Sequence, residues 1–175
     1  LGPASLAIYS VAVTFVSKIR NLIKEFFKII TAHMFKLNQI ELKKYCRKFF
    51  FIIILTSIPL AFLLSFLVKY IILYFFPAKY LDAILYAQIY MISIPFYLLM
   101  ILLYNINIAR NKETLNTKSA TISIIITIAL YFIFIPSFGL VGAVISSLAF
   151  FIIIDILLLI TIGFNYFLPM NSRTD

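Results

Sequence analysis

The chain has 175 residues, of which 64% are hydrophobic, 17% aromatic and only 12% charged, and its mean hydropathy is +1.11. Soluble domains carry roughly a quarter charged residues and under about half apolar ones, so this excess needs lipid as its solvent and a water-soluble fold is excluded. The 15 Lys+Arg against 6 Asp+Glu give +9, which in so apolar a chain encodes membrane topology rather than affinity for nucleic acid. One cysteine, Cys46, and one histidine, His33, exclude an intrachain disulfide and a zinc cluster, so no metal and no cofactor is expected. Leu1 opens inside an apolar stretch with no basic segment before it, which reads as a fragment of a longer protein and not as a signal peptide.

A bilayer-crossing helix needs about 20 mostly apolar residues at 1.5 Å each. Five stretches meet that requirement, at 3–30, 49–76, 83–109, 114–135 and 139–164. Pro77, the Arg110-Asn111-Lys112 cluster, and Pro136 with Gly139 punctuate them. The runs far exceed the roughly 9–11 alternating residues of a barrel strand. The expected fold is therefore an all-α, polytopic bundle of five spanning helices, forming a single transmembrane domain over 1–175.

The links fix the orientation, because lysine and arginine are retained on the cytoplasmic side. The first link holds Lys36, Lys43, Lys44, Arg47 and Lys48, and the third holds Arg110, Lys112 and Lys118. The second offers Lys79, with Lys69 inside the membrane end, and the fourth no charge. Links one and three are thus expected inside, the start of the chain outside, and the tail around Arg173 inside. Residues 36–48 suit a short amphipathic helix along the inner headgroups.

The residues between the helices carry a resemblance. Leu1-Gly2-Pro3 with Leu6 and Tyr9, the link Phe76-Pro77-Ala78-Lys79-Tyr80, the turn Ala109-Arg110-Asn111-Lys112, and Ile135-Pro136-Ser137-Phe138-Gly139-Leu140-Val141-Gly142-Ala143 occur in order over nearly the whole chain. Together they resemble the C-terminal lobe of a polysaccharide (O-antigen type) flippase of the multidrug/oligosaccharidyl-lipid/polysaccharide exporter superfamily. The Pro-x-x-Gly-x-x-Gly-Ala hairpin is the most specific piece. The resemblance implies two six-helix lobes around a central cavity in the bacterial cytoplasmic (inner) membrane. It also implies movement of a lipid-pyrophosphate-linked oligosaccharide between leaflets for lipopolysaccharide or other surface polysaccharide biosynthesis. With five helices, this chain is then an incomplete C-terminal lobe whose partners are the bilayer, the lipid-linked sugar and the missing N-terminal lobe.

The first helix holds the sharpest chemical signal. Pro3 suits its first turn, so a span of about 20 residues includes Lys18 and Arg20. At 100° per residue, Ser10, Thr14, Ser17, Lys18, Arg20, Asn21, Lys24, Glu25, Lys28 and Thr31 share an arc of about 160°. A cation in hydrocarbon costs at least about 2.5–3.5 kcal/mol, so four on one face imply a wet cavity or anionic partners. One reading is a substrate-binding wall of Lys18, Arg20, Lys24 and Lys28 meeting a pyrophosphate, where arginine makes paired bonds and lysine acts as a point charge. The other is an interfacial helix whose lysines snorkel to headgroups.

In the third helix Tyr86, Tyr90, Tyr97 and Tyr104, with Ser93 between, fall within about 60° of one another. They form either a lane on which sugar rings stack or a seam reaching neighbouring helices. Asp155 is the one acid well inside the last helix. It either bridges to Lys18 or Arg20, serves ion or proton coupling, or lies in the cavity without coupling. Pro59 and Pro95 kink the second and third helices, as hinges or as static bends. Gly139, Gly142, Ala143 and Ser146 give a small-residue packing face.

No catalytic set is present: there is no His-Glu-x-x-His, no Gly-x-Ser-x-Gly, and the four glycines are too few for a phosphate loop. The sequence therefore reads as a non-enzymatic flippase. A peptidoglycan-precursor flippase and a cation-coupled drug exporter are its rivals within the superfamily, and a membrane enzyme or assembly subunit of glycan or lipid metabolism is the rival from another class.

Overall fold

The computed structural model describes residues 2–163, 166 and 167, and among them the chain is all-helical. The end of the fifth stretch at 164 and the tail around Arg173 lie outside the described residues. Helix α1 spans Pro3–Met34, α2 Gln39–Phe75, α3 Ala83–Met91, α4 Ser93–Ala109 and α5 Glu113–Ile162, with one 3-10 turn at Ala78–Tyr80. Four helices are long and apolar enough to cross a membrane, α3 and α4 counting as one and α5 as one.

Three boundaries differ from the hydropathy reading, each for a local reason. First, α2 begins at Gln39, ten residues before the apolar stretch, so the basic 36–48 segment does not form a separate helix. Asn38 and Glu41 close a capping box there: the Asn38 side chain accepts from the Glu41 backbone N–H at 2.9 Å, and the Glu41 carboxylate accepts from the Asn38 N–H at 3.2 Å. Second, the third stretch is broken at Ile92 into α3 and α4. Pro95 has no N–H to give the Met91 carbonyl, and beside that carbonyl the Ile92 N–H takes the Ile89 carbonyl in a tighter 3-10 bond, Ile92 itself keeping φ −59° and ψ −19°.

Third, the fourth and fifth stretches join in α5, interrupted only at Gly139, whose φ of 58° and ψ of −131° suit a residue without a Cβ. The chain reverses there. Tyr131 and Ser147 share a hydrogen bond at 2.7 Å, although sixteen residues of straight helix would separate them by roughly 24 Å. Beyond the turn, the Gly142 α-carbon lies against the Phe134 carbonyl, an approach that any side chain at 142 would block. α5 is thus a helical hairpin with arms 113–138 and 140–162.

The broken helix α3–α4 occupies the middle of the bundle, with α1, α2 and α5 packed around it. Its residues Met91, Ile94, Leu102, Leu103 and Ile106 are fully buried. Each outer helix contributes one narrow stripe, such as Ala12 and Val16 from α1, Val68 and Ile72 from α2, and Val144, Ile154 and Leu158 from α5. Large apolar side chains cover much of the remaining outer surface, among them Leu55, Phe62, Phe132 and Ile160. A tight turn joins α4 to α5, where Asn111 takes φ 56° and Lys112 donates its N–H to the Asn107 carbonyl. The Asn107 side chain donates to that of Asn116 across this turn at 2.8 Å.

Candidate functional site

Helix α1 carries its polar residues on two faces. Lys18, Asn21, Lys24, Glu25 and Lys28 are exposed, as are Ser10 and Thr14 above them. Lys28 pairs with Glu25 at 2.6 Å, the one ion pair among the described residues, which leaves Lys18 and Lys24 with uncompensated charge. Ser10, Thr14 and Lys18 follow one another at four-residue intervals along a pocket of about 330 Å³ that Phe76 closes from the end of α2.

Arg20 leaves this face. It is only 7% exposed and points into the bundle, across from Lys18. Its Nη2 donates to the Tyr90 hydroxyl at 3.0 Å and to the Ser17 hydroxyl at 3.1 Å. Three rings surround the guanidinium, with centroids at 4.7 Å for Tyr90, 4.9 Å for Phe151 and 5.6 Å for Tyr97. A planar, weakly hydrated cation suits such a cage because ring faces carry negative potential, and a desolvated contact of this kind contributes about 2 kcal/mol. Nη1 has no hydrogen-bond partner among the described residues.

Two of the residue sets singled out in the sequence thus converge on one point. Of the four aligned tyrosines, Tyr90 and Tyr97 face Arg20, Tyr104 is half-buried with its backbone carbonyl accepting from the Asn116 side chain at 3.0 Å, and Tyr86 is half-buried without a side-chain hydrogen bond among those described. The aromatic contributions come from α3, α4 and α5 together, and Phe151 was not legible as part of the site. Its only sequence signal is its place one turn before Asp155.

Asp155 is 3% exposed, and neither carboxylate oxygen has a partner among the described residues. The bridge to Lys18 or Arg20 is not formed. A second polar tie lies nearer Gly139. The Ser147 hydroxyl donates to the Ala143 carbonyl at 3.0 Å and sits 3.0 Å from the Tyr9 hydroxyl and 2.7 Å from that of Tyr131. Ser147 has one proton for three neighbouring oxygens, so at least one of the two tyrosines donates to it. Since Tyr9 meets Ser147 and Arg20 meets Phe151, α1 and the second arm of α5 run in the same direction.

On the opposite side of the central helix, a cleft of about 700 Å³ opens between α2 and α3–α4, walled by Ile58, Phe62, Ile92 and Phe96. None of the sequence-derived candidates lines it. No group of His, Cys, Asp and Glu suited to a metal ion occurs among the described residues. No protein-family model, curated protein or solved structure matches the chain.

Proposed function

We propose that this chain is part of a multi-pass transporter that moves a lipid-linked, anionic oligosaccharide across the bacterial cytoplasmic membrane. In this reading the arms of α5 are separate crossings, giving five with α1, α2 and α3–α4, and the basic links at 36–48 and 110–118 face the cytoplasm. A second lobe completes a cavity over α1, and no chemical conversion of the cargo takes place.

The observation that carries the reading is the open strip on α1. Lys18 and Lys24 stay exposed and unpaired on a helix that also exposes the large hydrophobic residues Leu6, Leu22, Phe26 and Ile29. Two free cations beside Ser10, Thr14 and Asn21 are costly against hydrocarbon and favourable against phosphate in a wet cavity. Further support comes from the resemblance of the linking segments to polysaccharide flippases.

The test is surface-polysaccharide export in cells carrying the full-length protein with Lys18→Ala and Lys24→Ala together. Export should fall at least about tenfold at unchanged protein level, since two charge-assisted contacts are lost. Full export from the double variant would remove the basis of the reading.

A further inference from the structure

We infer that Arg20 is a two-position latch, which holds Tyr90 of α3 in this structure and swings one helical turn to pair with Asp155 in a second conformation of the bundle. Arg20 and Asp155, 7% and 3% exposed, are each left incompletely satisfied: Arg20 through Nη1 and Asp155 through both oxygens. Buried donors and acceptors without partners are costly, and pairing the two groups satisfies both at once.

The geometry provides the path. Both groups flank Phe151: the guanidinium carbon lies 4.9 Å from its ring centroid, and Asp155 is four residues further along the same helix, one turn away on the same face. The Ser17 bond folds the arginine back toward the start of α1. Asp155 lies the other way, because α1 and the second arm of α5 run in the same direction. Reversing the long arginine stem covers a helical turn, about 5.4 Å. Phe151 stands beside both ends of this movement, so the cation leaves the cage along one aromatic neighbour.

Letting go of Tyr90 has a mechanical result. Tyr90 stands two residues before the break at Ile92, where Pro95 has already removed a backbone bond. In the position seen here, Arg20 fastens the short helix α3 to α1. In the other it fastens α5 to α1 and leaves α3 free to pivot at Ile92, a hinge of the kind used in bundle rearrangements. This device does not depend on what the protein carries.

The measurement is a pulsed electron-spin distance between labels at Leu85→Cys on α3 and Ile125→Cys on the first arm of α5, both exposed, in full-length protein reconstituted in vesicles with no other cysteine. The unaltered latch should give two distance populations. Tyr90→Phe removes the hydroxyl that Arg20 grips and should raise the second population roughly tenfold relative to the first. Asp155→Asn should abolish the second. One population insensitive to Tyr90→Phe, or a second that survives Asp155→Asn, overturns the latch. Both variants are near-isosteric, and each decides the question alone.

Discussion

Tyr131 and Ser147 stand on opposite arms of α5 and share a 2.7 Å hydrogen bond between their hydroxyls. Because Tyr9 of α1 also bonds that serine oxygen, one hydroxyl fastens three helical segments. Ser147→Ala should therefore strand two phenol hydroxyls and destabilise the protein by about 2–4 kcal/mol, whereas Tyr9→Phe or Tyr131→Phe should each cost about 1 kcal/mol. Thermal unfolding in detergent ranks the three. A Ser147→Ala effect no larger than either tyrosine change would contradict the shared hydroxyl.

Gly142 is expected to tolerate nothing larger than hydrogen. A methyl group there runs into the Phe134 carbonyl on the opposite arm, which is backbone and cannot turn aside. Gly142→Ala should cost at least about 2 kcal/mol despite the better helix propensity of alanine. Gly2→Ala, with no atom within 4 Å of the added carbon, serves as the neutral control. Folded yield of the two variants is the readout, and equal yields would mean that the arms do not approach as described.

Arg20 and Lys24, four residues apart, should part company when each is changed to alanine. Arg20→Ala empties a cage of three rings, leaves the Tyr90 hydroxyl unpaired and should lower stability by roughly 2–5 kcal/mol. Lys24→Ala alters an exposed side chain and should leave stability within about 0.5 kcal/mol. Arg20→Lys should not rescue fully, since an ammonium lacks the flat fork that the rings enclose. Protein abundance in membranes, compared across the three, checks this, and an Arg20→Ala level equal to that of Lys24→Ala would refute the cage.

The proposed orientation predicts a labelling pattern. Single cysteines placed in 79–82 and in 136–138 should react with an impermeant thiol reagent in intact cells, and those placed in 36–48 and 110–118 should not. Cys46→Ser is the background of choice, and the native thiol, fully buried, should itself stay unlabelled. Reaction at the inner pair of links would invert the topology.

Hydropathy sufficed for the helical class and for the presence of long apolar helices, because average apolarity is a property of long runs of residues. It misplaced the start of α2, where the deciding contact is local and was readable: Asn38 and Glu41 have the three-residue spacing of a capping box. Pro95 was visible as a kink, but the position of the break three residues earlier depends on which carbonyl loses its donor. Arg20 marks the limit. Two residues from Lys18, it sits about 160° away around the helix, so the arc drawn through both had Arg20 at its edge. Which edge turns inward is decided by Tyr90, seventy residues later, and by Phe151 on a third segment. The same non-local dependence hid which of the three roles weighed for Asp155 holds: the bridge is absent here because Arg20 is engaged with Tyr90 and Lys18 points outward.

Because the chain turns back at Gly139, the fifty residues of α5 fold as a closed pair and not as one long rod. The first arm leaves synthesis carrying a row of hydroxyls, Ser119, Ser123 and Thr127, in which Ser123 and Thr127 are bonded only to carbonyls of their own helix. The Tyr131 hydroxyl beyond them meets the Ser147 hydroxyl only across the hairpin. A chain ending shortly after Gly139 would therefore leave that phenol without the contact seen here, and the first arm acquires its cross-arm tie only once residue 147 is in place.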